Sequence, residues 1–292
     1  MAQNLKKYWE YLEQKYDPPT YVEKIKIIQF NKLKKAVDSK NEKYLKKLIR
    51  GMYLNKQAYI IRNAAPNNFK STVLDLANHY KKTKKTSFHK MLTGTPNFHR
   101  VIDKKITKKY SVFAIKHSFF FYNWNIKSKL EKKFKDGVYR HWRYIKFLAG
   151  NLKNQFEKNR PSDGAIDRLQ IVRYPAGGGE LRDHVDPRKN QRVVSGLIMS
   201  KIREDFTKGG FFFRDKKNKK INIENKLKLG DAVSFYGSII HGVDKVDAQK
   251  KLSWNTNQGR WFIGMFVNES DNVKNRVTAK DLTGSVYSSF KN

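Results

Sequence analysis

No cysteine occurs among the 292 residues, which excludes disulfides, thiolate zinc sites, iron–sulfur clusters and cysteine nucleophiles. Acidic side chains are scarce: 26 Asp and Glu stand against 62 Lys and Arg, a formal charge of +36. No run approaches the roughly 20 apolar residues that span a bilayer. The most apolar stretch, 110–124, is broken by Lys116 and His117. The first ten residues lack the apolar core of a signal peptide, so a cytoplasmic protein with no membrane partner is expected. No internal repeat and no low-complexity linker is present.

The shortage of acids leaves a field that draws polyanions. Its carriers are scattered, as in Lys104-Lys105, Lys132-Lys133 and Lys216-Lys217, and they accompany an excess of Asn, Ile, Phe and Tyr of the kind AT-rich coding gives. A nucleic-acid partner therefore stays in view without being favoured, and a small-molecule substrate is expected. With 39% hydrophobic and 13% aromatic residues the chain can bury a sizeable core. Oligomeric state is not readable.

Two halves differ in period. Residues 1 to about 55 read as helices, with Tyr8, Leu12 and Tyr16, then Ile25, Ile28, Leu33 and Val37, at helical spacing. Pro18-Pro19 separates the first two. Ala58 to Ile61 reads as a strand, Ala65-Pro66-Asn67-Asn68 as a turn opening a helix, and 81–110 as a loop-rich connection. Tyr110 to Tyr122 is strand-like. Ile126 to about Glu157 reads as a long helix interrupted at Gly137. After the turn cluster 159–164, short strands alternate with glycine turns: Leu169–Tyr174, Val193–Ser200, Phe211–Phe213, Ala232–Tyr236, Ile239–Val243 and Trp261–Val267. That spacing indicates an antiparallel sandwich or barrel.

Within this second half lies Arg182-Asp183-His184-Val185-Asp186, and 57 positions after His184 comes His241 in Ile239-Ile240-His241-Gly242-Val243. In extended chain, residues i and i+2 point the same way, so His184 and Asp186 can reach one ion. Two histidines and a carboxylate form the set that holds Fe(II) on one face and leaves the other open. Zinc accepts the same ligands.

Taken in order, these elements resemble the Fe(II)/2-oxoglutarate-dependent oxygenase superfamily, over roughly residues 168 to 268 and more loosely back to Tyr59. Gln170–Tyr174 with its glycine turn resembles the strand ahead of the metal motif. Then come His184-Val185-Asp186, Gly209–Phe213, Lys228–Phe235 leading to His241-Gly242-Val243, and Gly259–Ile263. The resemblance implies a mainly β core with flanking helices (α+β), a double-stranded β-helix of jelly-roll or cupin type. One domain is expected: 1–160 mostly helical with early strands packing on the core, 165–268 the catalytic core, and 269–292 a C-terminal tail.

The resemblance also implies His184, Asp186 and His241 as catalytic iron ligands, 2-oxoglutarate and O2 as co-substrates, and Arg260 as the partner of the distal carboxylate of 2-oxoglutarate. A guanidinium suits that task because it grips a carboxylate with two parallel bonds. Arg260 lies 19 residues after His241, a longer gap than in many relatives, and position 262 is Phe where a hydroxyl residue is frequent. Tyr174 and Arg192 are therefore further candidates for the co-substrate. Asp186 stands where related halogenases have a small residue, so hydroxylation through a ferryl species is expected. Arg182, His117 and Asn123 are candidate substrate contacts, the last two from the aromatic run 117–125. Gly177-Gly178-Gly179 is expected to be a flexible lip over the site.

The function expected is an oxygenase hydroxylating a small polar metabolite, such as an amino acid or related acid. The same chemistry on a nucleobase or protein side chain, or a basic binding module without catalysis, are the alternatives.

Overall fold

The computed structural model describes residues 1–274, 276 and 277. The helical first half supplies one outer layer. Helix α1 (Ala2–Lys15) buries Leu5, Trp9 and Leu12, and Trp9 stacks on Tyr236 at 5.5 Å while its indole N–H donates to the Leu148 carbonyl. Strand β1 (Lys24–Gln29) follows, then helices α2 (Phe30–Asp38) and α3 (Glu42–Tyr53), strand β2 (Gln57–Arg62) and helix α4 (Phe69–Thr83). The stretch expected to be one helix from Ile25 to Val37 thus opens as a strand. Ile25, Ile27 and Ile28 are β-branched, Ile27 is exposed, and β2 offers a parallel partner in register from Lys24↔Gln57 to Gln29↔Arg62.

Strand β3 (Phe98–Ile102) lies within the loop-rich stretch, and β4 (Ala114–Tyr122) precedes the long helix α5 (Lys129–Leu148). A capping box opens α5: Ser128 accepts from the Glu131 amide, and the Glu131 carboxylate returns to the Ser128 amide. The helix runs unbroken through Gly137, contrary to expectation, because the missing side chain lets α4 come close. A Cβ there would meet the Phe69 ring at 2.3 Å. It stops at Leu148, well short of Glu157, where Gly150 takes φ +88°.

The remaining strands are β5 (Ala165–Pro175), β6 (Gly179–His184), β7 (Val193–Ile198), β8 (Gly210–Arg214), β9 (Lys220–Asn222), β10 (Ala232–Tyr236), β11 (His241–Val246) and β12 (Gly259–Glu269). Short β9 was not expected, only Ile221 being apolar among its three residues. The larger sheet runs β1-β2-β10-β7-β12-β5-β4, with β3 on β4, and the smaller runs β6-β11-β8-β9. Strand β4 joins them: His117–Tyr122 pair with β5, whereas Ala114 and Ile115 pair with β6. Strands β5 to β12 make the two four-stranded layers of a double-stranded β-helix, β5-β12-β7-β10 facing β6-β11-β8-β9. This is the mainly β core with flanking helices that was expected.

Alternation decides what each face does. Odd residues of β4 and β5, including Phe119, Phe121, Leu169 and Ile171, join the helices in one core with Trp142, Ile145 and Val138. Each such buried side chain contributes about 1.5–3 kcal/mol. Even residues face inward, between the sheets. Lys146 of α5 ties the layers, its ammonium 2.7 Å from Asp167 on β5 with both groups buried. Among the described residues no helix is long and apolar enough to cross a membrane. Of the 269–292 stretch expected to be a tail, Glu269 closes β12, and 275 and 278–292 lie outside the described residues.

Candidate metal centre and adjoining cavity

Antiparallel register brings the two histidines together. His241, first residue of β11, pairs directly with His184, last residue of β6, and their ring centroids lie 4.2 Å apart. Asp186 sits two residues past the strand, where its amide donates to the Gly237 carbonyl at 2.9 Å and so folds this end of β6 against the turn before β11. One ligand atom from each of His184, Asp186 and His241 lies within 4.8 Å of the others, and His241 Nε2 is 3.4 Å from Asp186 Oδ2.

Backbone carbonyls fix the tautomers. His184 Nδ1 lies 3.0 Å from the Arg182 carbonyl, and His241 Nδ1 lies 2.9 Å from that of Ile239. A carbonyl only accepts, so Nδ1 carries the proton in both rings and each Nε2 keeps its lone pair for the shared centre. Burial, with His241 beside it, pushes His184 down to about 4. For Asp186 burial works upward, but the neighbouring His241, then His184 and Lys116, outweigh it and hold the carboxyl below its ordinary value. At neutral pH His184 is therefore neutral and Asp186 ionised, the state a divalent metal needs of each. The donor set and the free Nε2 atoms fit Fe(II) with a face left open.

The triad opens on a cavity of about 270 Å³ between the two sheets. A water occupies roughly 10–15 Å³ on such a scale, so two small molecules fit together. Arg260 and Tyr174, cross-strand neighbours on β12 and β5, line it. Arg260 is buried, its Nε donating to Glu224 at 2.8 Å, with its guanidinium carbon 5.7 Å from each of the Phe211 and Phe262 ring centroids. Tyr174 stacks on Phe262 at 5.9 Å with planes 4° apart, so the phenyl ring at 262 packs against a wall of the cavity. Burial pushes the Tyr174 phenol above its ordinary value.

The other candidates lie elsewhere. Arg192 turns to the outer layer and pairs with Glu13 of α1, Nε to Oε1 at 2.9 Å. Arg182 is exposed and covers the Phe113 ring at 4.4 Å. His117, odd-numbered on β4, faces the helices, 2.8 Å from His99 Nδ1, and Asn123 donates to the Tyr139 hydroxyl. None of the four lines the cavity. Nor is the triple glycine a lip. The amides of Gly177 and Gly178 donate to the Val246 carbonyl, and a Cβ on Gly177 would strike the Leu252 backbone at 2.3 Å. Residues not foreseen, Lys116, Arg168 and Gln170, do line the cavity. A charged side chain inside the otherwise apolar run 110–124 was the available signal for Lys116.

No protein-family model matches the chain, and no curated protein matches it in sequence. Among solved structures it is similar to a full-length Neurospora crassa protein in complex with alpha-KG and thymine, at 15% identity and a TM-score of 0.53, over 85% of this chain and 87% of that one. The same protein with alpha-KG alone gives 13% and 0.50 over 85% and 86%. With alpha-KG and 5-formyluracil it gives 13% and 0.50 over 87% and 86%. At these identities the likeness is one of fold, and the fold is the double-stranded β-helix that the motif order implied.

Proposed function

We propose that this chain is an Fe(II)- and 2-oxoglutarate-dependent oxygenase that hydroxylates a small molecule. The observation that carries the proposal is the convergence of His184, Asp186 and His241 with both Nε2 atoms free, in one cavity with a buried arginine. These three side chains would hold the metal, which when bound with 2-oxoglutarate supplies activation of O2. The chain's own part is positioning. The carbonyls of Arg182 and Ile239 orient the rings, and Glu224 holds the Arg260 guanidinium to receive the distal carboxylate of 2-oxoglutarate. Phe211, Phe235 and Phe262 keep water from the centre. A carboxylate at 186 fills the third ligand position, which favours hydroxylation over halogenation.

The cavity's size supports a metabolite-sized substrate, an amino acid or related acid among them. A second reading, a pyrimidine base as substrate, draws on Gln170, whose side-chain amide lines the cavity and could pair with a base edge. The similar Neurospora crassa structures hold thymine and 5-formyluracil. Purified chain with Fe(II) and 2-oxoglutarate should release succinate, and His184→Ala should abolish the release. Wild type that binds neither metal nor co-substrate would refute the proposal.

A further inference from the structure

Two buried cations in this fold have carboxylate partners: Lys146 has Asp167 at 2.7 Å and Arg260 has Glu224 at 2.8 Å. Two half-buried cations at the cavity form no such ion pair among the described residues. Lys116 of β4 lines it and makes no hydrogen bond or ion pair among the described residues, the one carboxylate acting on it being the metal ligand Asp186. Arg168 of β5 lines the same wall, its guanidinium carbon 5.3 Å from the Phe120 ring centroid and 5.7 Å from that of Phe266; the Tyr122 phenol and, less strongly, the Asp271 carboxylate support its charge, but its buried Nε lacks a hydrogen-bond partner and it forms no ion pair among the described residues. Gln170, two residues on, faces the same space and is buried.

Strand parity explains the grouping. Phe120 pairs with Gln170 and Tyr122 with Arg168, so the even positions of both strands form one inward surface. An unpaired charge withdrawn from water is unfavourable unless something returns its solvation. Burial, then Arg168, pushes Lys116 down to about 8, a sign of how poorly its surroundings within the chain support the ammonium. Around the cations the wall is apolar, from Met91, Phe98, Ile102 and Phe266. Arg260 is already committed to the co-substrate in the proposal above, so its partner anion does not account for this second pair.

We infer that Lys116 and Arg168 seat a carboxylate of the substrate, while the wall of Phe98, Phe120 and Phe266 takes an apolar or aromatic body. The substrate class is then a small organic acid, and Gln170 contributes a hydrogen bond to it. This rests on the oxygenase reading, which it narrows.

The test uses the full chain with matched probes: 3-phenylpropanoate against 3-phenylpropanamide, hexanoate against hexanamide, and thymine as a neutral ring. Two quantities are read, probe-stimulated succinate release and the shift in Tm without iron. The acids should accelerate release and raise Tm, while the amides and thymine do neither. Lys116→Met and Arg168→Met should each raise the acid concentration for half-maximal effect tenfold or more, with the KM for 2-oxoglutarate moving less than threefold. Lys116→Met should melt no lower than wild type, since it deletes an unpaired charge. Equal effects of acid and amide, an effect of thymine alone, no effect of any probe, or a KM for 2-oxoglutarate that rises with that for the acid would overturn the inference. Wild type that consumes no 2-oxoglutarate would instead sink the oxygenase reading, while acid-selective gain in Tm still tests the cluster.

Discussion

Replacing Arg260 by Met separates two jobs that the structure gives to one side chain. Its Nε holds the buried Glu224 carboxylate at 2.8 Å, and the rest of the guanidinium lines the cavity beside Tyr174. Removing one member of a buried charge pair costs about 2–5 kcal/mol of binding. The lower end, about 2 kcal/mol, corresponds to a rise of about 30-fold in the KM for 2-oxoglutarate. The same change strands Glu224, left with the Phe211 amide at 2.7 Å as its remaining donor at that oxygen. An uncompensated buried carboxylate destabilises the fold by about 3–5 kcal/mol. Arg260→Met/Glu224→Gln removes that second effect and leaves the first. Thermal melting and succinate release, measured on the single and double variants, therefore part company: the double variant recovers most of the lost Tm and none of the co-substrate affinity. A wild-type KM in Arg260→Met, or recovery of KM in the double variant, would refute the assignment.

Acid should weaken the fold through its buried neutral histidines. Burial pushes His141 down to about 3 and His117 to about 2, whereas an unfolded histidine titrates near 6.5. The native state thus refuses protons that the unfolded state accepts, so stability falls as pH drops from about 6.5 towards 3, by up to about 1.4 kcal/mol per pH unit for each ring. His141→Gln, which can keep the bond to Ser195 Oγ, should flatten the curve of denaturant midpoint against pH by nearly one proton. Parallel curves for variant and wild type would contradict this. Gly242→Ala should cost about 1–3 kcal/mol by overpacking, because its Cβ would lie 2.7 Å from both the Leu181 carbonyl oxygen and the Phe212 ring. Because Gly242 follows His241, metal affinity should fall with Tm, and a variant that melts and binds metal like wild type would count against it.

The candidate triad was legible because its information is local twice over. His184 and Asp186 are two residues apart, and His241 sits at a strand start marked by Gly237-Ser238 and Gly242. Much of the strand order of the second half was legible for the same reason, since glycines bound β5, β8, β10, β11 and β12. What failed was parity. Strand β4 is buried on nearly its whole length, on one face by helices and on the other by the cavity wall, so its sequence carries no alternation to say which residues point inward. His117 and Asn123 were chosen from a run whose inward members are Lys116, Phe120 and Tyr122. Arg182 and Arg192 were chosen for nearness to the motif in sequence, yet one lies on an exposed strand face and the other is captured by Glu13, 179 residues away. The misread helix at Ile25–Val37 has a similar origin, since Ile25 and Ile28 fit a helical stripe as well as a strand until β2 is known to lie alongside.

Anaerobic titration of Fe(II) into the chain with 2-oxoglutarate present tests the central claim most directly. The account predicts one saturable ferrous site per chain, with Asp186→Ala and His241→Ala each showing no binding at concentrations that saturate wild type while keeping the wild-type fold by circular dichroism. Undiminished iron binding in those two variants would contradict it.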